Sequence, residues 1–297
     1  MNPIYIVEAE MTLIEALNKI HPQSSNRTLR HLITQHRVTV EGEYKKQARL
    51  KLVPGQEVEI HPKPAQEKAE KDHRVSVLYE DEHIIAVNKP TGLLSIASDK
   101  MEEDTLHTRV LNYLRSNDSK AWGYIIHRLD RETSGIIIFA KSEQAKESVQ
   151  TQFAEHQVRR YYTAIVEGEP SEDNGTAKHY LQEDKNLRVW VVEPGSRGAK
   201  EAVTHWYVLE RNGATSRIEL DIETGRRHQI RVQMAEMGHP LVGDRRHESV
   251  FDPLGRLCLH ATTLQFKHPI SGKKLNLDSA TPIEFDIIAS YSIDDMD

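Results

Sequence analysis

The chain has 297 residues, 38% hydrophobic and 28% charged, proportions that suit a folded globular protein and exclude disordered and fibrous classes. No apolar run approaches the roughly 20 residues of a bilayer-spanning helix, and the amino terminus lacks a basic segment followed by an apolar one, so neither a membrane span nor a secretory leader is expected. The net charge of −6 would disfavour a polyanionic partner, but residues 276–297 carry six acids and no Lys or Arg, so the remainder balances at 39 cations against 39 acids (45 minus 6).

In chain order, residues 1–62 read as a small unit. Thr12 and Glu15 have the spacing of a capping box ahead of Leu13, Leu17 and Ile20. Ser25 can cap a second helix with Leu29, Leu32 and Ile33 on its apolar face and Arg27, Arg30 and His31 on the other. Val38–Val40, turns at Glu41-Gly42 and Pro54-Gly55, and the alternating Val58 and Ile60 predict short strands. Residues 63–74 are polar without an apolar period and read as a linker.

A second core, residues 75–288, begins at Val75. The apolar runs Ile84–Val87 and Ile136–Ala140 predict buried strands, the first closed by Lys89-Pro90 and Gly92. Leu106, Val110, Tyr113 and Leu114 have helical spacing, and Ser142 can cap a helix turning Ala145, Val149 and Phe153 inward. Ile218, Leu220 and Ile222 alternate as a strand. Residues 227–237 predict a helix with Ile230, Met234 and Met237 on one face, stopped by Gly238 and Pro240. Strands dominate and helices interrupt them irregularly, which predicts an α+β fold rather than a regular βαβ series. Residues 289–297 form an acidic tail expected to be disordered.

Searches for familiar chemistry are mostly negative. The 16 histidines form neither HExxH nor a tight ligand cluster, so no metal is expected. No GxGxxG follows a strand, and Gly195–Lys200 (GSRGAK) only faintly resembles a phosphate loop. Cys258, the one cysteine, lies in an apolar run and reads as a small core residue; its isolation suits a reducing cytosol. Arginines cluster at Ser24–Arg37 and, five of them, at Thr224–His247, local patches that can meet phosphate despite the net charge.

One segment stands out: His127-Arg128-Leu129-Asp130-Arg131-Glu132-Thr133-Ser134-Gly135, a polar bend feeding the strand Ile136–Ala140. Asp130 alone would read as a turn residue, but Arg128 and Arg131 beside it favour a charged carboxylate at the mouth of the domain. HRLDRETSG resembles the HRLDxxTSG signature of the RluA family of pseudouridine synthases. VSVLYEDEHIIAVNKPTGLL, RYYTA, AKEAVTHWYVL, TGRRHQIRVQM, GHPLVGD, RLCLHATTLQF and HPISGK follow in that family's order, so the resemblance covers roughly residues 75–285. Residues 1–62 are similar to the RNA-binding domain named after small-subunit ribosomal protein S-four.

The resemblance implies a mainly antiparallel mixed-sheet catalytic domain behind a small α/β RNA-binding domain, in a cytoplasmic monomer that isomerises uridine without cofactor. It implies that Asp130 acts on the sugar or the base, that Arg231 pairs with it through its planar fork, with Arg226 and Arg227 as nearby competitors for that role, and that Tyr162 stacks on the uracil. Arg128 would fill the gap left by the swung-out nucleotide. His127, Lys89, Arg226, Arg227, Arg27 and Arg30 are candidates for RNA contacts. The RNA is expected to be ribosomal in preference to transfer RNA. Two rivals remain at this point. A glycoside or nucleoside hydrolase would need a second carboxylate, and Glu132 is the near candidate. A non-catalytic RNA-binding or ribosome-assembly protein would have no use for Asp130, Tyr162 and Arg231 together.

Overall fold

The computed structural model describes residues 4–22, 24, 29, 32–33, 38–45, 47–61, 75–98 and 102–288. Ser25, Arg27, Arg30, the segment 63–74 and the tail 289–297 lie outside the described residues. By its internal contacts the chain divides into two units, residues 1–73 and 74–297.

In the first unit, strands β1 (Ile4–Ile6) and β2 (Met11–Thr12) precede helix α1 (Leu13–Ile20). Then come β3 (Val38–Val40), β4 (Glu43–Tyr44), β5 (Lys51–Leu52) and β6 (Glu57–Ile60). The four-stranded sheet runs β1-β6-β3-β4, and β2 pairs with β5. Helix α1 starts where the capping pattern predicts: the Thr12 amide and hydroxyl both donate to Glu15 Oε2, each at 2.7 Å. The β3–β4 turn places Glu41 (φ 51°) and Gly42 (φ 76°) in the left-handed region, the conformation that matches the right-handed twist of a two-residue hairpin. Leu13, Leu17, Leu29, Ile33, Val38 and Val58 are among the side chains of its core.

The second unit is built on an eleven-stranded sheet. Its elements begin with β7 (Ser76–Glu80), β8 (Ile84–Lys89), α2 (Leu106–Asn117), β9 (Tyr124–Ile125), β10 (Ser134–Ala140), α3 (Glu143–Ala154) and β11 (Arg159–Glu167). They continue with β12 (Asn174–Glu183), β13 (Val189–Val192), β14 (Lys200–Arg211), β15 (Thr215–Ile222), α4 (Gln229–Glu236), β16 (Leu259–Lys267), β17 (Lys274–Asp278) and α5 (Glu284–Ile288). The sheet order is β13-β12-β14-β15-β11-β16-β10-β8-β7, with β17 on β16 and β9 on β10. Most pairs are antiparallel, and β10 meets β16 in parallel through Ser134–His260 and Gly135–Ala261.

All seven residues of β10 are buried, because the sheet is covered on both faces. Ile137 and Phe139 join Ile85, Val87 and the α2 residues Leu106, Val110 and Leu114 in one core. Ile136 and Ile138 join Ile84, Ala86 and the α3 residue Val149 in another. Strand alternation thus explains why an unbroken apolar run is needed here, and each such side chain contributes about 1.5–3 kcal/mol on burial. Ser142 caps α3 by accepting from the Ala145 amide at 3.2 Å. Helix α4 begins two residues later than predicted, because His228 adopts a left-handed φ of 51° just before it. Every residue from Gln229 to Met234 is buried, so this is a core helix rather than a one-faced one. Gly135 (φ 117°) permits the approach of β10 to β16, since a Cβ there would lie 2.2 Å from the Ala261 carbonyl oxygen.

Candidate active site

The bend Ile126–Thr133 enters β10 at its buried amino end, and one short segment fastens it. Ser95 Oγ donates to the Leu129 carbonyl at 2.7 Å and accepts from the Leu129 amide at 3.1 Å. Lys89 Nζ donates to the Arg131 carbonyl at 3.0 Å, and Thr91 Oγ1 to that of Glu132 at 2.6 Å. Asp130 is therefore held from both sides by backbone bonds while its side chain stays 26% exposed.

Lys89 corrects the sequence reading. Expected at a phosphate, it is fully buried, and its Nζ also donates to the carbonyls of Pro90 at 3.0 Å and Leu93 at 2.8 Å. Burial pulls its pKa down to about 7, against the opposing pull of Asp130 and Glu132. Three carbonyl acceptors match the three N–H bonds of an ammonium, so the geometry favours the charged form. Lys89→Met is expected to keep the volume, strand three carbonyls, cost roughly 2–4 kcal/mol in stability and loosen the bend. Chemical denaturation and turnover on RNA measure both effects; an unchanged denaturation midpoint would remove Lys89 from this role.

Arg231 also differs in detail from expectation. Its Nε and Nη2 bind the two oxygens of Asp244 at 2.6 and 2.7 Å, and both side chains are buried. The remaining Nη1 faces Asp130 Oδ2 at 3.6 Å and Glu132 Oε2 at 3.4 Å. The forked contact expected for Asp130 belongs to Asp244, which anchors the guanidinium so that one edge is presented to the bend. His228 Nε2 lies 3.7 Å from the same Asp130 oxygen, and its Nδ1 shares a 3.0 Å hydrogen bond with His247 Nε2.

A cavity of about 520 Å³ opens beside Asp130. Tyr162, 8% exposed, lines it together with His127, Arg128, Arg226 and Arg231. Burial raises the Tyr162 pKa, Arg160 lowers it and Asp130 raises it, so the phenol keeps its proton at neutral pH. His127 accepts from the Ile138 amide at 3.2 Å and stacks on Phe153 at 5.0 Å, which spends its Nε2 on the strand and makes it a wall rather than a free RNA contact. Arg227 points instead to Glu183, at 3.5 Å. Sequence reasoning missed Arg160, which lines the cavity over the Phe153 ring and has a buried Nε without a hydrogen-bond partner. Its signal was the Arg159-Arg160 doublet, whose first member is bound by Asp221.

Two buried histidines, His228 and His260, and the half-buried His127 imply acid sensitivity. Burial, then nearby arginine charge, brings His127 and His228 to about 3 and His260 to about 4, from 6.5. Below pH 6.5 the unfolded chain takes up protons that the folded chain refuses, so stability is full above that pH and falls as pH drops toward 3. The expected slope is about 1.4 kcal/mol per pH unit for each group. Denaturation midpoints measured across pH 7 to 4 check this, and a flat profile would contradict the neutral assignment.

The carboxylate of Asp130, the guanidinium of Arg231 and the phenol of Tyr162 thus meet at one cavity; the similarities to known proteins give the class of the chain. Residues 83–236 match the RNA pseudouridylate synthase family. A ribosomal large subunit pseudouridine synthase D of Zymomonas mobilis is 34% identical over 240 residues, covering 76% of this chain and 75% of that protein. An uncharacterized RNA pseudouridine synthase of Bacillus subtilis is 33% identical over 297 residues, covering 95% of each. The structure of human RNA pseudouridylate synthase domain containing 1 superposes with a TM-score of 0.60 at 26% identity, covering 74% of this chain and 89% of that one.

The chain belongs to the RNA pseudouridylate synthase family. It is an RNA-directed isomerase, and the reading as a non-catalytic RNA binder gives way to the catalytic one.

Proposed function

We propose that the chain converts uridine to pseudouridine in a structured RNA, ribosomal in preference to transfer RNA, with Asp130 as the acting carboxylate. The observation that carries this is the fastened, partly open Asp130 between the anchored edge of Arg231 and a cavity walled by Tyr162. The reaction breaks N1–C1′, forms C5–C1′, removes the proton from C5 and places one on N1, so it balances without a cofactor. Asp130 can attack or abstract a proton as an oxygen base. Arg231 steadies its charge, and the Tyr162 ring offers an apolar face for stacking.

The target base has to leave its stack to enter the cavity, at a cost of a few kcal/mol, and Arg128 at the rim is suited to fill the space left behind. The preference for ribosomal RNA is supported by the name of the Zymomonas relative. It is also supported by the S-four-like pattern of the first unit, which we take as an RNA-binding module. The cavity is formed within one chain, so a monomer suffices, and the single buried thiol suits the cytosol. Pseudouridine maps of stable RNA from cells with and without the gene test the reading. One or a few uridines are expected to lose modification and to regain it with the wild-type gene but not with Asp130→Asn. Identical maps would refute it.

A further inference from the structure

A second cavity, about 530 Å³, adjoins the first and shares Arg128, Gly225 and Arg226 with it. Its walls come from the β12–β13 hairpin, the turn at Gly195–Lys200 and the Gly225–Arg227 segment. Five cations line it: Arg128, Lys185, Lys200, Arg226 and Arg227. Against them stand Glu183 and Asp184, which leaves a formal excess of three positive charges (five minus two).

The two carboxylates are engaged in the protein. Asp184 Oδ1 accepts from the amides of Asn186 at 2.8 Å and Arg188 at 2.9 Å, closing the hairpin. Glu183 faces Arg227. Lys185 and Lys200 are exposed and have no ion-pair partner among the described residues. The parts that carry them are pinned. Arg246 Nη2 donates to the Leu187 carbonyl at 2.9 Å at the hairpin tip, and Gln182 Nε2 to the Arg197 carbonyl at 3.1 Å across to the turn. Gly195 (φ 87°) and Gly198 (φ 80°) give that turn its shape. This is the glycine-flanked, lysine-ending segment whose sequence only faintly resembles a phosphate loop.

We propose that this second cavity binds the phosphodiester backbone of the substrate RNA next to the target uridine, with Lys185 and Lys200 as phosphate contacts. A strand whose target nucleotide occupies the first cavity has to continue past the rim, and Arg128 stands where the two cavities join. Apolar recognition of a protein segment is poorly served, since five of the twelve lining residues are cationic. A backbone of regular negative charge fits an excess of positive side chains carried on fastened turns. The proposal rests on the RNA reading above and adds which surface takes the flanking strand.

The test measures binding in the Asp130→Asn background, where turnover does not intrude, using a stem-loop RNA that contains a mapped target uridine. Lys185→Ala with Lys200→Ala is expected to weaken binding about tenfold and to make the log–log salt slope shallower by roughly 1.4, about 0.7 for each single-strand phosphate that is no longer neutralised. The control pair Lys273→Ala with Lys274→Ala removes the same charge from the β17 end of the sheet and should change affinity less than about twofold. Inorganic phosphate or uridine monophosphate at millimolar concentration should compete equally poorly with both variants, which separates a strand-binding surface from a small-anion site. Equal losses in the two lysine pairs, or an unchanged slope, would overturn the proposal. Failure of the RNA reading is seen separately, as pseudouridine maps that are identical with and without the gene.

Discussion

Asp130→Asn is expected to lower single-turnover pseudouridine formation by at least about 10³-fold while RNA affinity stays within a few-fold of the parent. The amide has nearly the carboxylate's shape, and the backbone bonds that fasten the bend come from Ser95, Lys89 and Thr91, not from the side chain itself. Folding should therefore survive, and a denaturation midpoint close to the parent's is the internal control. Glu132 is the instructive comparison. It also faces Arg231, at 3.4 Å, but it is exposed and does not line the cavity beside Tyr162. Glu132→Gln is expected to retain activity within about tenfold, because a single acid–base group that is not engaged contributes nothing of the 10²–10⁴-fold typical of one that is. A reversal of the two results would transfer the chemistry to Glu132.

Asp244→Ala should produce the second large effect, in stability and activity together. Asp244 is 1% exposed and holds Arg231 through both oxygens. Removing it leaves a buried guanidinium whose remaining carboxylate neighbours are the looser Asp130 and Glu132 contacts, at a cost of about 3–5 kcal/mol. The freed arginine then has no fixed edge to present to Asp130, so turnover should fall although Asp244 touches no substrate. Asp244→Asn keeps shape and one acceptor and should fall between the parent and the alanine variant on both measures. Replacing Arg231 and Asp244 together with apolar residues should restore much of the stability and none of the activity. A denaturation free energy for Asp244→Ala within about 1 kcal/mol of the parent would show that the pair is not the anchor described.

The parts of this architecture that repeat a local rule were legible in the sequence. The capped helices at Thr12 and Ser142, the strands at Ile84 and Ile136, and the bend holding Asp130 all follow from spacing and turn chemistry over fewer than ten residues. Family resemblance then brought Asp130, Arg231 and Tyr162 together across about a hundred residues, which periodicity alone could not do. What escaped was long-range and polar. Nothing local to Lys89 distinguishes a phosphate ligand from an ammonium buried on three carbonyls; the Arg131 carbonyl that decides it is 42 residues away. Asp244 lies in the GHPLVGD segment, 13 residues beyond Arg231, at a spacing that no helix or strand makes adjacent. Arg160 was hidden beside a doublet partner whose role is an ion pair with the buried Asp221.

The position of β16 has a consequence for how the enzyme is made. It lies between β11, which carries Tyr162, and β10, whose entrance carries Asp130, and it comes from residues 259–267, near the end of the chain. During synthesis the two halves of the pocket can each begin to order, but the strand that sets their separation leaves the ribosome after both of them. A nascent chain halted before Leu259 would therefore hold the signature bend and the aromatic without holding them in register, so competence for uridine would arrive late and all at once.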